Sequence, residues 1–156
     1  WAPTKEERWA EETMSGGCAC GKLRFTARVD TDDAYLCHCR MCQRATGGVS
    51  VAFKNLKKTD VCWAAEPDWF ESSPIARRPF CSGCGTSLGF EYPDSPNMDL
   101  AVGAFDDPAR FKPTMHFGIE SAHRAWINTE GLPEHRVADN QKTVERWEKA
   151  VGEFPG

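Results

Sequence analysis

Cys81-Ser82-Gly83-Cys84-Gly85 is the stretch on which the fold of this chain turns. Two cysteines three apart, with a glycine between them and another just after, permit a tight turn in which both thiolates converge and backbone amides donate to sulfur. That is the form of a zinc knuckle, and one knuckle supplies half of the four ligands of a closed tetrahedral site. A second pair stands upstream in Cys18-Ala19-Cys20-Gly21, flanked by Gly16, Gly17 and Gly21. Between the two pairs runs Cys37-His38-Cys39-Arg40-Met41-Cys42, so that of the eight cysteines Cys62 alone lies outside a cluster. Two, three and two sulfurs partition most economically into a closed structural site from Cys18, Cys20, Cys81 and Cys84 and an open site from Cys37, Cys39 and Cys42. The expected cofactor is zinc, two ions per chain. The closed site ties residue 18 to residue 84 and clamps most of the chain.

Eight cysteines also permit full disulfide pairing. Neighbours such as Cys18 and Cys20, or Cys37 and Cys39, would close small strained rings, whereas both sulfurs of each pair can face one ion. The charged start, Trp1-Ala2-Pro3-Thr4-Lys5-Glu6-Glu7-Arg8, has no apolar signal core. Metal-binding thiols fit a reducing compartment, and the expectation is a cytoplasmic protein.

At 156 residues, 40% hydrophobic and 27% charged, the chain is long enough for one domain with its own core. No apolar run reaches membrane-spanning length. A net charge of -4 argues against a general nucleic-acid surface. Residues 1–14 read as a short helix or loose arm, 15–136 as the zinc domain, and 137–156 as its helical extension. Val144, Trp147 and Val151 fall at helical spacing, which predicts an amphipathic helix over 139–151. Between these ends, alternation over 22–29 and the runs 49–53, 69–72, 86–92, 100–105 and 115–119 predict short strands in a mainly antiparallel β architecture, punctuated by Pro67, Pro74, Pro79, Pro93, Pro96, Pro108 and Pro113.

Cys37 and Cys39 follow a strand end at Ala34-Tyr35-Leu36 and point to one side of an extended segment, and a helical turn returns Cys42 toward them. The polar stretch 43–48 reads as a turn. A fourth ligand from His38, His116, His123, His135 or Cys62 would make this second site structural. Strand alternation turns His38 away, and Cys62, in Val61-Cys62-Trp63, reads as a buried small hydrophobe. Otherwise the fourth position faces water or substrate, and thiolate-rich ligation suits sulfur chemistry.

The order of the three clusters, with Ser15-Gly16-Gly17, Gln43-Arg44-Ala45-Thr46-Gly47 and Arg78-Pro79-Phe80 beside them, resembles the glutathione-dependent formaldehyde-activating enzyme family, shared with centromere protein V. Phe111-Lys112-Pro113, His116, Trp126 and Glu130-Gly131-Leu132-Pro133 resemble its closing segment. The resemblance covers about residues 15–136. It implies a β-tent fold of packed antiparallel sheets, a structural zinc on Cys18, Cys20, Cys81 and Cys84, and a catalytic zinc on Cys37, Cys39 and Cys42 open to a glutathione sulfur. It further implies a carbon–sulfur lyase acting on a small-molecule thiol adduct, glutathione-derived, with no nucleic-acid or membrane partner. His38 and His116 are candidate proton donors. Arg40, Arg44, Arg77, Arg78 and Arg124 are candidates to pair with substrate carboxylates, and Trp69 and Trp126 to line an apolar pocket. Two other readings stand beside this one: a tailoring enzyme of secondary metabolism using zinc-bound water on a non-glutathione substrate, and a zinc-stabilised binding module without catalysis, as the chromatin-associated relatives suggest.

Overall fold

A computed structural model describes residues 1–2 and 12–156, and divides the chain into two compact units, Trp1–His123 and Arg124–Gly156. The expected N-terminal arm falls largely on residues 3–11, outside the described residues. Its last positions, Thr13 and Met14, already belong to a strand.

The first unit is mainly β. Strands β1 (Thr13–Gly17), β2 (Arg24–Arg28) and β5 (Val61–Trp63) form an antiparallel sheet in the order β1-β2-β5. The other strands are β3 (Asp33–Cys37), β4 (Val51–Lys57), β6 (Asp68–Ser73), β7 (Ala76–Phe80), β8 (Gly89–Glu91), β9 (Asn97–Ala101) and β10 (Lys112–Phe117). They form a seven-stranded sheet in the order β10-β3-β4-β9-β8-β7-β6. Its pairings are antiparallel except that β10 runs parallel to β3, which makes the sheet mixed.

Period-2 alternation gives the large sheet two chemically different faces. Ala34, Leu56, Met98 and Leu100 join Met14, Phe25, Ala27 and Phe105 in one hydrophobic cluster, which packs the two sheets together. Phe25 sits at its centre, edge-on to Phe105 at 5.2 Å and to Trp63 at 5.4 Å. Gly16 and Gly17, which flank the first cysteine pair, belong to β1. A Cβ on Gly16 would meet the Phe25 ring at 2.3 Å and the Ala104 carbonyl at 2.4 Å, so close approach selects glycine there.

Several boundaries differ from expectation. Pro79 and Pro113 lie inside strands. Pro113 is on the edge strand β10, where the register shifts before Met115, a place that tolerates a missing N–H. Pro79 lies where the β7–β8 ladder has dwindled to the pair Arg77–Glu91 and the bridge Phe80–Ser87. The run 100–105 leaves the sheet at Ala101 for a 3-10 turn, Val102–Ala104. The expected polar turn over 43–48 is mostly helix α1 (Arg40–Thr46), which ends at Gly47. Cys62 is exposed on β5, not buried.

The second unit holds α2 (Arg124–Ile127) and α3 (Gln141–Val151). Helix α3 matches the periodicity of 139–151. The Asn140 side chain caps it by accepting from the Thr143 N–H at 3.2 Å, and Gly152 closes it with φ of 89°. Among the described residues no helix is long and apolar enough to cross a membrane.

Candidate metal centre

None of the eight cysteines forms a disulfide. Seven of them gather into the two groups that could hold metal ions, Cys18/Cys20/Cys81/Cys84 and Cys37/Cys39/Cys42, with sulfurs inside each group within 4.8 Å of one another.

In the outer group, Cys18 and Cys20 leave the end of β1 and Cys81 and Cys84 leave β7. The Gly21 N–H donates to the Cys18 carbonyl at 3.2 Å, and the Gly85 N–H to the Cys81 carbonyl at 2.7 Å. Both glycines take the left-handed conformation that such a turn requires, φ 80° and 79°. Cys18 Sγ lies 3.5 Å from Cys20 Sγ, which lies 3.8 Å from Cys81 Sγ. A tetrahedral zinc with Zn–S bonds of about 2.3 Å places its sulfurs about 3.8 Å apart, so the donor set fits the ion. Backbone and hydroxyl donors favour the thiolates. The Leu23 N–H donates to Cys18 Sγ at 3.2 Å and lowers its pKa, and the Thr86 hydroxyl and N–H pull Cys84 down to about 5.

The middle group is assembled by a strand-to-helix junction. Cys37 ends β3, Cys39 caps α1 by accepting the Cys42 N–H at 3.3 Å, and Cys42 stands in the first turn. Cys37 and Cys42 are buried with sulfurs 3.4 Å apart. Gln43 locks the helix in place. Its buried amide donates to the carbonyls of His38 (2.8 Å), Val49 (3.2 Å) and Ser121 (3.1 Å). Cys42 is held down to about 5, first by its contact with Cys37 and then by Arg78, against the cost of burial. Its partner Cys37 is pushed up, by Cys42 and by burial. Among the described residues no His, Asp, Glu or fourth Cys joins this group.

The three sulfurs open onto a cavity of about 530 Å³ on the face of the large sheet opposite the core. Tyr35 lines it from the same strand face as Cys37, two residues away. Phe53 lies opposite Tyr35, and Asp99 lies between Asn55 and Phe90 across the sheet. Met41, Met115 and Phe117 complete an apolar rim. Asp99 accepts from Asn55 Nδ2 at 3.0 Å and from the Tyr35 hydroxyl, and its burial pushes its carboxyl above the usual carboxylate range.

The sequence profile described as glutathione-dependent formaldehyde-activating enzyme matches residues 13–121, well over half of the chain. The chain belongs to this family. One, described as an uncharacterized lyase of Schizosaccharomyces pombe, is 30% identical over 82 residues, covering 53% of this chain and 60% of its own length. The matched region therefore spans less than two thirds of that relative. A crystal structure of a Rhodobacter sphaeroides protein superposes with a TM-score of 0.54 at 19% identity, over 66% of this chain and 99% of that one, a likeness of fold.

Within the family fold, the remaining residues singled out from sequence separate by position. His38 is fully buried and His116 exposed. His38 Nε2 and His116 Nδ1 are 2.8 Å apart, His38 Nδ1 meets the Ser50 hydroxyl at 2.7 Å, and neither ring lines the cavity. Both stand on the strand faces turned away from Cys37 and Phe117. Arg78 lines the cavity and touches Cys42, whereas Arg77 pairs with Glu91 at 2.6 Å and stacks on Trp69 at 4.0 Å. Trp69 packs on the core. Arg40 and Arg44 are exposed on α1, with Arg40 donating to the Gln43 side chain. Arg124 and the exposed Trp126 belong to α2 in the second unit. Tyr35, Asn55, Phe90 and Asp99 escaped the sequence reading. Only Tyr35 carried a local signal, its i−2 spacing from Cys37 on a strand.

Proposed function

We propose that this protein is a zinc-dependent carbon–sulfur lyase acting on a small-molecule thiol adduct. The observation that carries this reading is a three-cysteine group, with no fourth protein ligand among the described residues, facing an open, largely apolar cavity. Zinc bound there supplies a Lewis acid that holds the substrate sulfur as thiolate. Cys37, Cys39 and Cys42 would hold the ion, and their three negative charges would temper it toward reversible sulfur exchange. The apolar rim from Met41, Met115 and Phe117 limits water around the adduct. For a hydroxymethyl thioether, cleavage removes the hydroxyl proton, turns the C–O bond into a carbonyl and sends the C–S electron pair away with sulfur. Asp99, hydrogen-bonded to Tyr35 and Asn55 on the cavity wall, is the group we assign to exchange that proton, in place of His38 or His116. Family membership and the lyase-named relative support the reaction class.

The aromatic lining supports a second reading of the substrate. A cavity of about 530 Å³ walled by Tyr35, Phe53, Phe90 and Phe117 offers aromatic surface that neither a one-carbon group nor a charged tripeptide uses, and suits a tailoring enzyme whose non-glutathione substrate carries an apolar group. Exchange spectroscopy on ¹³C-formaldehyde with glutathione, and on an aromatic aldehyde with 2-mercaptoethanol in place of glutathione, tests both. The lyase reading predicts accelerated exchange that Cys39→Ala abolishes, faster for the aromatic aldehyde if the second reading holds. No acceleration with either adduct contradicts the lyase.

A further inference from the structure

Arg78 is 3% exposed and yet has no carboxylate partner among the described residues. Its Nη2 donates to Cys42 Sγ at 3.4 Å, its guanidinium lies 4.9 Å over the Phe90 ring, and its Nε and Nη1 have no hydrogen-bond partner. A buried guanidinium in such a place is costly unless a negative charge stands beside it. The available one is the thiolate of Cys42. The outer group differs: Cys20 and Cys84 are exposed, so solvent screens its charge.

A divalent ion held by three thiolates carries one net negative charge, which the guanidinium cancels. A fourth, anionic sulfur then returns the ensemble to a single negative charge. Without Arg78 it would reach two, inside a cavity whose walls are largely aromatic and aliphatic. An N–H···S hydrogen bond also draws electron density from the ligand sulfur and sharpens the ion's appetite for a further donor. We propose that Arg78 sets the charge of the Cys37/Cys39/Cys42 centre so that it takes up thiolate, and is thereby a positioning and specificity-determining residue of the site. This rests on the lyase reading above, and it names the anionic form of the sulfur as what the cavity selects.

The test uses the whole chain loaded with cobalt(II), whose absorption reports each sulfur added to the ion, titrated with 2-mercaptoethanol. That probe has no carboxylate, so any effect of Arg78 on it is an effect on the centre and not a salt bridge to substrate. Arg78→Met should keep the outer ion, bind the middle ion about 10–100-fold more weakly, and lose at least about tenfold in thiol affinity once loaded. Arg78→Lys, which retains the charge, should recover most of the thiol affinity. Arg78→Gln replaces the Met variant if the latter does not fold. Thiol affinity within about twofold of the parent in the neutral variant, or a Lys variant as weak as the neutral one, overturns the proposal. Failure of the parent protein itself to change its spectrum with thiol would instead bring down the lyase reading, and is visible before any variant is made.

Discussion

Gly118 offers a perturbation that reaches the middle cysteines without replacing a ligand. It takes φ of 69° as the chain leaves β10, and a Cβ there would lie 2.9 Å from the Cys39 nitrogen and 3.2 Å from the Cys39 Cβ. Gly118→Ala therefore has two costs. The left-handed backbone costs an alanine about 1–2 kcal/mol. The overlap with Cys39, which is backbone and cannot rotate away, adds about 1–3 kcal/mol and shifts the helix cap that carries the ligand sulfur. Gly47→Ala is the matched control: its φ is 78°, but nothing lies within 4 Å of its added Cβ. The difference between the variants isolates the steric term. For a chain of this size 1 kcal/mol corresponds to about 2–4 °C in Tm, so Gly118→Ala should melt about 2–12 °C below Gly47→Ala. Thermal melts with metal analysis of the purified proteins provide the assay. Gly118→Ala should also lose occupancy of the middle ion while keeping the outer one, and Gly47→Ala should keep both. Equal melting temperatures with two metal equivalents in each would refute the reasoning.

Cys39→Ala should remove one metal equivalent and abolish turnover in a protein whose circular dichroism stays native; an unchanged zinc content counts against the ligand set. Cys81→Ala should aggregate or fail to fold, since a structural zinc contributes on the order of 10 kcal/mol to folding, and a soluble variant with a parental Tm would contradict that role. Asp99→Asn tests the buried carboxyl. A raised folded pKa means that the native state favours the protonated acid, so this group's stabilisation is full below the unfolded pKa and is lost as pH rises through the folded value. The variant's Tm minus the parent's should therefore rise as pH climbs from about 4; a difference that stays constant or falls toward neutral pH removes the claim.

The cysteine clusters were legible because metal ligation imposes short, local spacings. The glycines at 21 and 85 were legible because a left-handed turn leaves few alternatives. Alternation disclosed β2, and the short run Ala34-Tyr35-Leu36 disclosed the end of β3. What the sequence did not disclose depends on pairing across the sheet. Asp99 reaches the cavity because β9 aligns it between Asn55 and Phe90, a register set by residues distant in the chain. Arg77 and Arg78 look alike in sequence, and only the pleat of β7 sends one to Glu91 and the other to Cys42. Pro79 and Pro113 read as strand breakers because their tolerance inside β7 and β10 rests on a thin ladder and a sheet edge. Strand β5, three residues long, is too short to leave a period of its own.

Anomalous diffraction at the zinc edge from crystals grown with a thiol addresses the central claim most directly. Two peaks are expected, one about 2.3 Å from the sulfurs of Cys18, Cys20, Cys81 and Cys84, the other equally close to those of Cys37, Cys39 and Cys42 and to one sulfur of the added thiol. A single peak at the outer cysteines, or a second peak whose remaining ligand is a side chain of the protein, would contradict it.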